Sequence, residues 1–415
     1  MTYSFLLLSG IILTGTLLHA GEPRFLDEGY LSELRGEAAR NHPAALAGKA
    51  RASAASHEAR AVRLWNDPML GVGFMGAQQM MRADEGDVMI GLELALPKPG
   101  MFAAERAKME AMQRAEVENA TSNKNDAGAQ AARAAIELAL ADESVALQQA
   151  QVNWLSAMAK NARQMAADPM GGGTDALRME TELAREQLML DAARRTRDGY
   201  AQSLNLMLGR SIDSPWPVLR LPVDPPPVPV ASAEVARIPY VNPKVRAMRE
   251  MTSAANADAR IADRERLPQV AVGVDTQLYS GTGDIRSTTF GVKLSLPWFN
   301  DTSYQAKIDA AKSREAAANR DVETMRREIA TMVVSAATEA ANAAAQARAF
   351  GGEIHDKADK AAKTTEAAWI SSKAPLNDLL DSSRVLFAIR LEQRRMIAMQ
   401  LAALEELHTL LPRHK

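Results

Sequence analysis

Asp378 and Asp381 are the clearest pair of chemistry-bearing residues in this sequence. They lie in Asn377-Asp378-Leu379-Leu380-Asp381, just after Lys373-Ala374-Pro375. If this segment opens a helix, an i,i+3 spacing places both carboxylates on one face. Such a pair can attract cations. It can also simply complement the positive end of the helix dipole, which favours Asp in a first turn. The six histidines are His19, His42, His57, His355, His408 and His414. None stands at metal-ligand spacing from a second histidine, so no metal site is expected. Met75, Met80, Met81 and Met89 cluster in sequence. Thioethers select Cu(I), and methionine equally fills gaps or faces lipid. No nucleophile elbow, Walker sequence, kinase set or dinucleotide fingerprint is present, so neither an enzyme nor a cofactor is expected.

The elements that would position these residues occur twice. Asn66 to Pro97 and Arg266 to Pro297 match without a gap. The residue numbers differ by 200 at Pro68/Pro268, Val72/Val272, Gly73/Gly273, Asp84/Asp284, Gly91/Gly291, Leu94/Leu294 and Pro97/Pro297. The match reaches back to Pro43/Pro243, so the chain is an internal duplication. Each copy alternates with period 2 and predicts a two-stranded hairpin. Even positions are apolar, as in Leu70, Val72, Phe74, Ile90, Leu92, Val272, Val274, Phe290 and Val292. Odd positions are small or polar, and include Glu93, Asp275 and Lys293. Successive strand side chains point to opposite faces, so each hairpin has a greasy and a wet face. That pattern suits a transmembrane barrel and equally a soluble sheet packed on one side.

The chain has 415 residues and a net charge of −2, which offers nucleic acid no electrostatic footing. Cysteine is absent, which excludes disulfides and thiolate metal sites. Phe5 to Leu18 is an apolar run followed by His19-Ala20-Gly21. It is too short to span a membrane and fits the core of a signal peptide over residues 1–20. No later run is long enough for a transmembrane helix, although a barrel needs none.

In chain order, short helices are expected over Phe25 to Arg40 and from Pro43 to Leu64 or Trp65, with Pro43 in a first turn. After hairpin 68–97, Met101 to Ala167 holds no proline and one glycine, Gly128. At 1.5 Å per residue it would form a helix of about 100 Å. Asp168 to Gly173 breaks it, Thr174 or Asp175 can cap a return helix, and Gly209 can end that helix. A proline-rich connector follows over 211–240. The second half repeats the plan. A helix from Pro243 to Arg266 leads into hairpin 268–297. Asn300 or Asp301 caps a long helix weakened at Gly351-Gly352, and the return helix ends near Leu411. The expected domains are thus 21–210, with long helical hairpin 101–209, and 241–415, with long helical hairpin 300–411.

This duplicated plan resembles the TolC-type outer-membrane efflux channel family across essentially the whole mature chain. FLDEGYLSELRGEAARNHPAALAGKA is similar to the family's amino-terminal helix pair, and LNDLLDSSRVLFAIRLEQRR to its second return helix. PKPGMFAAERAKMEA and PWFNDTSYQAKIDAA look similar to the family's heavy-metal branch. The resemblance implies a mainly α fold with a β-barrel contribution, in which a trimer shares one transmembrane barrel and an α-helical tunnel in the periplasm. It implies that Asp378 and Asp381 ring the periplasmic aperture. Thr174-Asp175-Ala176-Leu177 is the equivalent segment of the first half, with Asp175 as its one acid. Glu93 and Lys293 are then expected in the barrel lumen. The partners it implies are a periplasmic adaptor, an inner-membrane transporter of RND type and outer-membrane lipid, with metal ions or small toxic compounds as cargo. The tip Lys373-Ala374-Pro375 departs from the family's usual glycine turn. Two other readings stay open, namely the conduit of a type I protein secretion system and a soluble coiled-coil scaffold.

Overall fold

The computed structural model describes residues 23–75, 87–166, 173–223 and 225–412. The expected signal peptide, Met80, Met81 and most of the first tip lie outside the described residues. The first repeat begins with strand β1 (Arg24–Phe25) and helices α1 (Glu28–Asn41) and α2 (Pro43–Ala61). Strands β2 (Met69–Met75) and β3 (Asp87–Ala95) follow, then α3 (Met101–Ala166) and α4 (Gly173–Leu208). The connector carries β4 (Leu219–Arg220) and α5 (Ala231–Val241). The second repeat is α6 (Pro243–Glu265), β5 (Val270–Tyr279), β6 (Ile285–Leu294), α7 (Asp301–Gly351), α8 (Glu353–Ile370) and α9 (Leu376–Leu410).

The two hairpins join into one antiparallel sheet in the order β2-β3-β5-β6. Their register places Gly71, Gly91, Asp275 and Thr289 side by side, and likewise Met69, Glu93, Gly273 and Gly291. β2 and β6 are left as edges. The even-numbered apolar face is bare, with Leu70, Val72, Phe74, Leu92, Phe290 and Val292 all exposed.

α3 is long because nothing interrupts it, and it is straddled because alanine lets other backbones approach. Ala127, Ala131, Ala132, Ala135 and Ala139 are buried along it, and α1, α2, α4, α6 and α9 all touch it. A Cβ on Gly128 would stand 3.2 Å from the backbone oxygen of Arg35, so glycine lets α1 cross closely here. Among the described residues no helix is long and apolar enough to cross a membrane.

The duplication is repeated in the joints. Asn41 Nδ2 donates to the carbonyl of Leu208 at 3.1 Å, and Asn242 Nδ2 to that of Leu410 at 2.8 Å. Each short-helix junction thus satisfies an orphan carbonyl at the end of its own return helix. Pro43 and Pro243 both sit in a first turn, capped by His42 and Asn242.

The core lies at the waist, where Leu26, Leu31, Leu34, Ile136, Leu138, Leu204, Leu219 and Leu221 cluster. The connector is held there by a buried polar network. Asp142 of α3 accepts from the backbone N–H of Leu219 at 2.8 Å and from Arg197 at 2.9 Å. Trp216 donates to Asn205 at 2.7 Å, and Asn205 donates to the carbonyls of Ile212 and Ser214. Each buried polar side chain in this network therefore has a partner. β4 completes the clasp by pairing in parallel with β1.

Several local expectations are corrected. α2 stops at Ala61, since Val62 is already extended on the approach to Pro68. Residues 231–241 are helical although the connector is proline-rich, because Ile238 is fully buried against Val245, Ile329 and Val333. Thr174 and Asp175 lie inside the first turn of α4, which already starts at Gly173, so they do not cap it. Asn300 precedes α7 but its side chain makes no capping hydrogen bond, because a 3₁₀ turn over Pro297–Asn300 leads directly into the helix.

Candidate functional site

The tip is built where the two return helices begin. Leu376, Leu379 and Leu380 of α9 are buried with Trp369 of α8, Leu155 and Met158 of α3, and Met179 of α4. Fixing that apolar face leaves Asp378 and Asp381 exposed in the first turns of α9. The turn before them carries Ser372 at φ 58, a left-handed residue that a glycine would adopt without strain. Asp175 lies half-buried in the matching first turn of α4.

The two acids of α9 are not equivalent. Arg384 donates to Asp381 at 3.2 Å and contacts Glu182 of α4 at 2.8 Å, tying the two return helices together. The Glu182 carboxylate is the main cause that holds the Arg384 guanidinium above its ordinary pKa. Between these helices runs a groove of ≈ 550 Å³, lined by Thr174, Leu177, Glu182, Asn377, Asp381 and Arg384. The bridge was not legible in the sequence, since Glu182 and Arg384 are 202 positions apart.

At the other end, Glu93 of β3 and Lys293 of β6 meet over the intervening β5. Asp87 of β3 and Arg286 of β6 do the same at the outer end, with Arg286 stacked on Tyr279. Parity alone would put Arg286 on the apolar face. A register shift at Gln277/Leu278 makes Arg286 the extra residue of β6 and re-aims its side chain. Met75 and Met89 share the same odd face. Among the described residues no group of three or more His, Cys, Asp or Glu is placed to hold a metal ion.

A duplicated helix–hairpin–helix chain, with a four-stranded contribution to a barrel above a bundle of very long helices, is the fold of the outer-membrane channels. The outer-membrane channel OprN superposes with a TM-score of 0.77 at 15% identity, covering 92% of this chain and 90% of its own. VceC from Vibrio cholerae gives 0.76 at 14% identity, covering 92% and 96%. CusC gives 0.76 at 15% identity, covering 94% and 93%. Residues 241–412 match the family model described as outer membrane efflux protein. No curated protein matches the sequence. The whole chain thus shares the fold of these outer-membrane channels, and its second repeat matches the outer membrane efflux protein family by sequence.

Proposed function

We propose that three copies of this chain assemble into a passive outer-membrane conduit of a tripartite efflux system. The observation that carries this reading is the four-stranded sheet with open edges at β2 and β6 and a bare apolar even face. Open edges are not tolerated in lipid, so the sheet must close on other copies of itself. Three copies, the number the family resemblance implies, would close a barrel within the known size range. The even face then meets lipid, and the odd face, with Glu93 and Lys293, lines the lumen. The long helices, too polar for lipid, form a tunnel in the periplasm. Asp378 and Asp381 of each copy, with Asp175 beside them, surround the aperture at its tip and attract cations by focusing the field. The Arg384–Glu182 bridge holds the tip partly closed until a periplasmic adaptor engages it. Energy comes from an inner-membrane transporter, of the RND type that the family resemblance implies. The cargo is small toxic compounds or metal ions, the class implied by the segments that follow the hairpins.

The test is the mass of the detergent-extracted particle and its behaviour in planar bilayers. Three chains per particle and cation-selective channels are expected. Asp378→Ala with Asp381→Ala should raise conductance or weaken selectivity, and should relieve block by multivalent cations added on the tip side. A stable monomer would sink the conduit. Unchanged conductance, selectivity and block in the double variant would sink the aperture assignment.

A further inference from the structure

The odd face of the barrel sheet carries five charged side chains among the described residues, and four of them are matched in two pairs. Glu93 pairs with Lys293, and Asp87 with Arg286, each time from β3 to β6 across β5. Asp275, on β5 itself, is the fifth. It lies in register between Gly91 of β3 and Thr289 of β6. Among the described residues Lys293 is a charged neighbour, and it is already bound to Glu93. Three acids against two bases leave one negative charge per chain on this face.

The carboxylate of Asp275 has a built seat. A Cβ added to Gly91 would come to 2.1 Å from Asp275 Oδ1, so the acid lies flat on the strand where that side chain would be. At Gly291, the equivalent residue of the second repeat, nothing lies within 4 Å. Gly91 thus leaves the space that the Asp275 carboxylate fills, whereas Gly291 has no such neighbour. The next residue in the row is Gly71, so no large side chain covers the carboxylate from that direction, and Asp275 is exposed. An uncovered and uncompensated charge on a wall acts on whatever passes.

We propose that Asp275 sets the charge preference of the barrel, drawing cations into it independently of the carboxylates at the tip. The inference rests on the conduit reading, in which the odd face lines the lumen. At ~0.1 M salt the Debye length is about 10 Å, so a wall charge influences a large part of a lumen of this kind. At ~1 M it is about 3 Å and the influence ends close to the wall.

The test is a charge series recorded in an Asp378→Ala, Asp381→Ala background, where those two tip acids contribute nothing. The potassium-to-chloride permeability ratio is read from reversal potentials in KCl gradients. Asp275→Asn keeps the shape and removes the charge, and should lower the ratio about twofold at ~0.1 M salt, with the difference vanishing near ~1 M. Lys293→Met leaves a second unmatched acid and should raise it. Hexaamminecobalt(III), added on the barrel side, should block the parent more strongly than Asp275→Asn. A ratio and a block in Asp275→Asn equal to those of the parent would overturn the proposal while leaving the conduit intact. Failure of wild-type and parent chains to form channels at all would remove the conduit reading, and the proposal with it.

Discussion

Two buried or half-buried acids at the waist respond to their surroundings in opposite senses. Glu405 of α9 is 4% exposed and faces Arg35 of α1 at 3.0 Å. Arg35 also reaches Glu28 at 2.8 Å and lies 3.4 Å from the ring nitrogen of His408, so its charge is divided. Burial pushes the Glu405 carboxyl above its usual range, and Arg35 only partly pulls it back. Glu37 instead receives two hydrogen bonds of 2.6 Å from Arg210, which hold its carboxyl below the usual range. The unfolded reference for both is about 4.3. A raised carboxyl favours the folded state below that reference, and the benefit is lost as pH rises through the folded value. A lowered carboxyl stabilises above the reference, and that contribution is lost as pH falls through the folded value. Thermal unfolding followed from acid to neutral pH should therefore separate the two. Glu405→Gln should remove the loss of stability on the rising side, and Glu37→Gln should remove the loss on the falling side. Parallel profiles for both variants and the wild type would show that neither environment matters to the fold.

The elements were legible where one physical cause acts alone. The unbroken stretch from Met101, the period-2 hairpins and the prolines at Pro43 and Pro243 each fix a local structure by sterics or by alternation. They were illegible where a distant contact decides. Residues 231–241 fold as a helix because Ile238 finds a buried place between α6 and α7, and Arg286 changes face because β6 holds one residue more than β5 opposite it. The same limit applied to the site. Asp378 and Asp381 were visible as a helical pair, whereas the Arg384–Glu182 bridge and the seat of Asp275 on Gly91 join the two halves of the chain. The alternation itself makes a sharp expectation. Val292 is exposed on the even face. If that face meets lipid near the bilayer midplane, Val292→Arg should cost about 2–4 kcal/mol. Lys293, one residue on, holds an exposed ion pair, so Lys293→Ala should be far milder. Unfolding in detergent or lipid measures both, and equal effects at the two positions would contradict the assignment of faces.

At the scale of the whole molecule, the two repeats differ in stiffness. α3 runs unbroken through Gln151 and Val152, while the equivalent place in the second repeat, Gly351 and Gly352, divides α7 from α8. Neither end at this break has a side-chain cap. A Cβ on Gly351 would stand 2.2 Å from Gln393 Nε2, so a side chain of α9 reaches over the break. The connector crosses just there. Pro226 accepts a hydrogen bond from Gln400 at 2.9 Å, and residues 225–228 border a groove of ≈ 740 Å³ with Arg348, Gly351, Gly352 and Ile397. A stiff first arm, a strap at the waist and a second arm broken beside the strap make one relative motion easier than others. A swing of α8 and the start of α9 against α3 and α4 is the expected motion, opposed by Arg384–Glu182, by the Gln151–Ser383 and Trp154–Glu366 hydrogen bonds and by the buried cluster of the tip. The chain has no cysteine, so a pair introduced as Glu182→Cys and Arg384→Cys would be the only thiols present. Joining them with a short bis-methanethiosulfonate should hold the tip closed and silence the channel in planar bilayers, and a reductant should restore it. Each single cysteine treated alike should stay active, because it breaks the tie without replacing it. Full conductance through the joined pair would mean that cargo passes without separation of the two return helices, and that the glycine break is not a pivot.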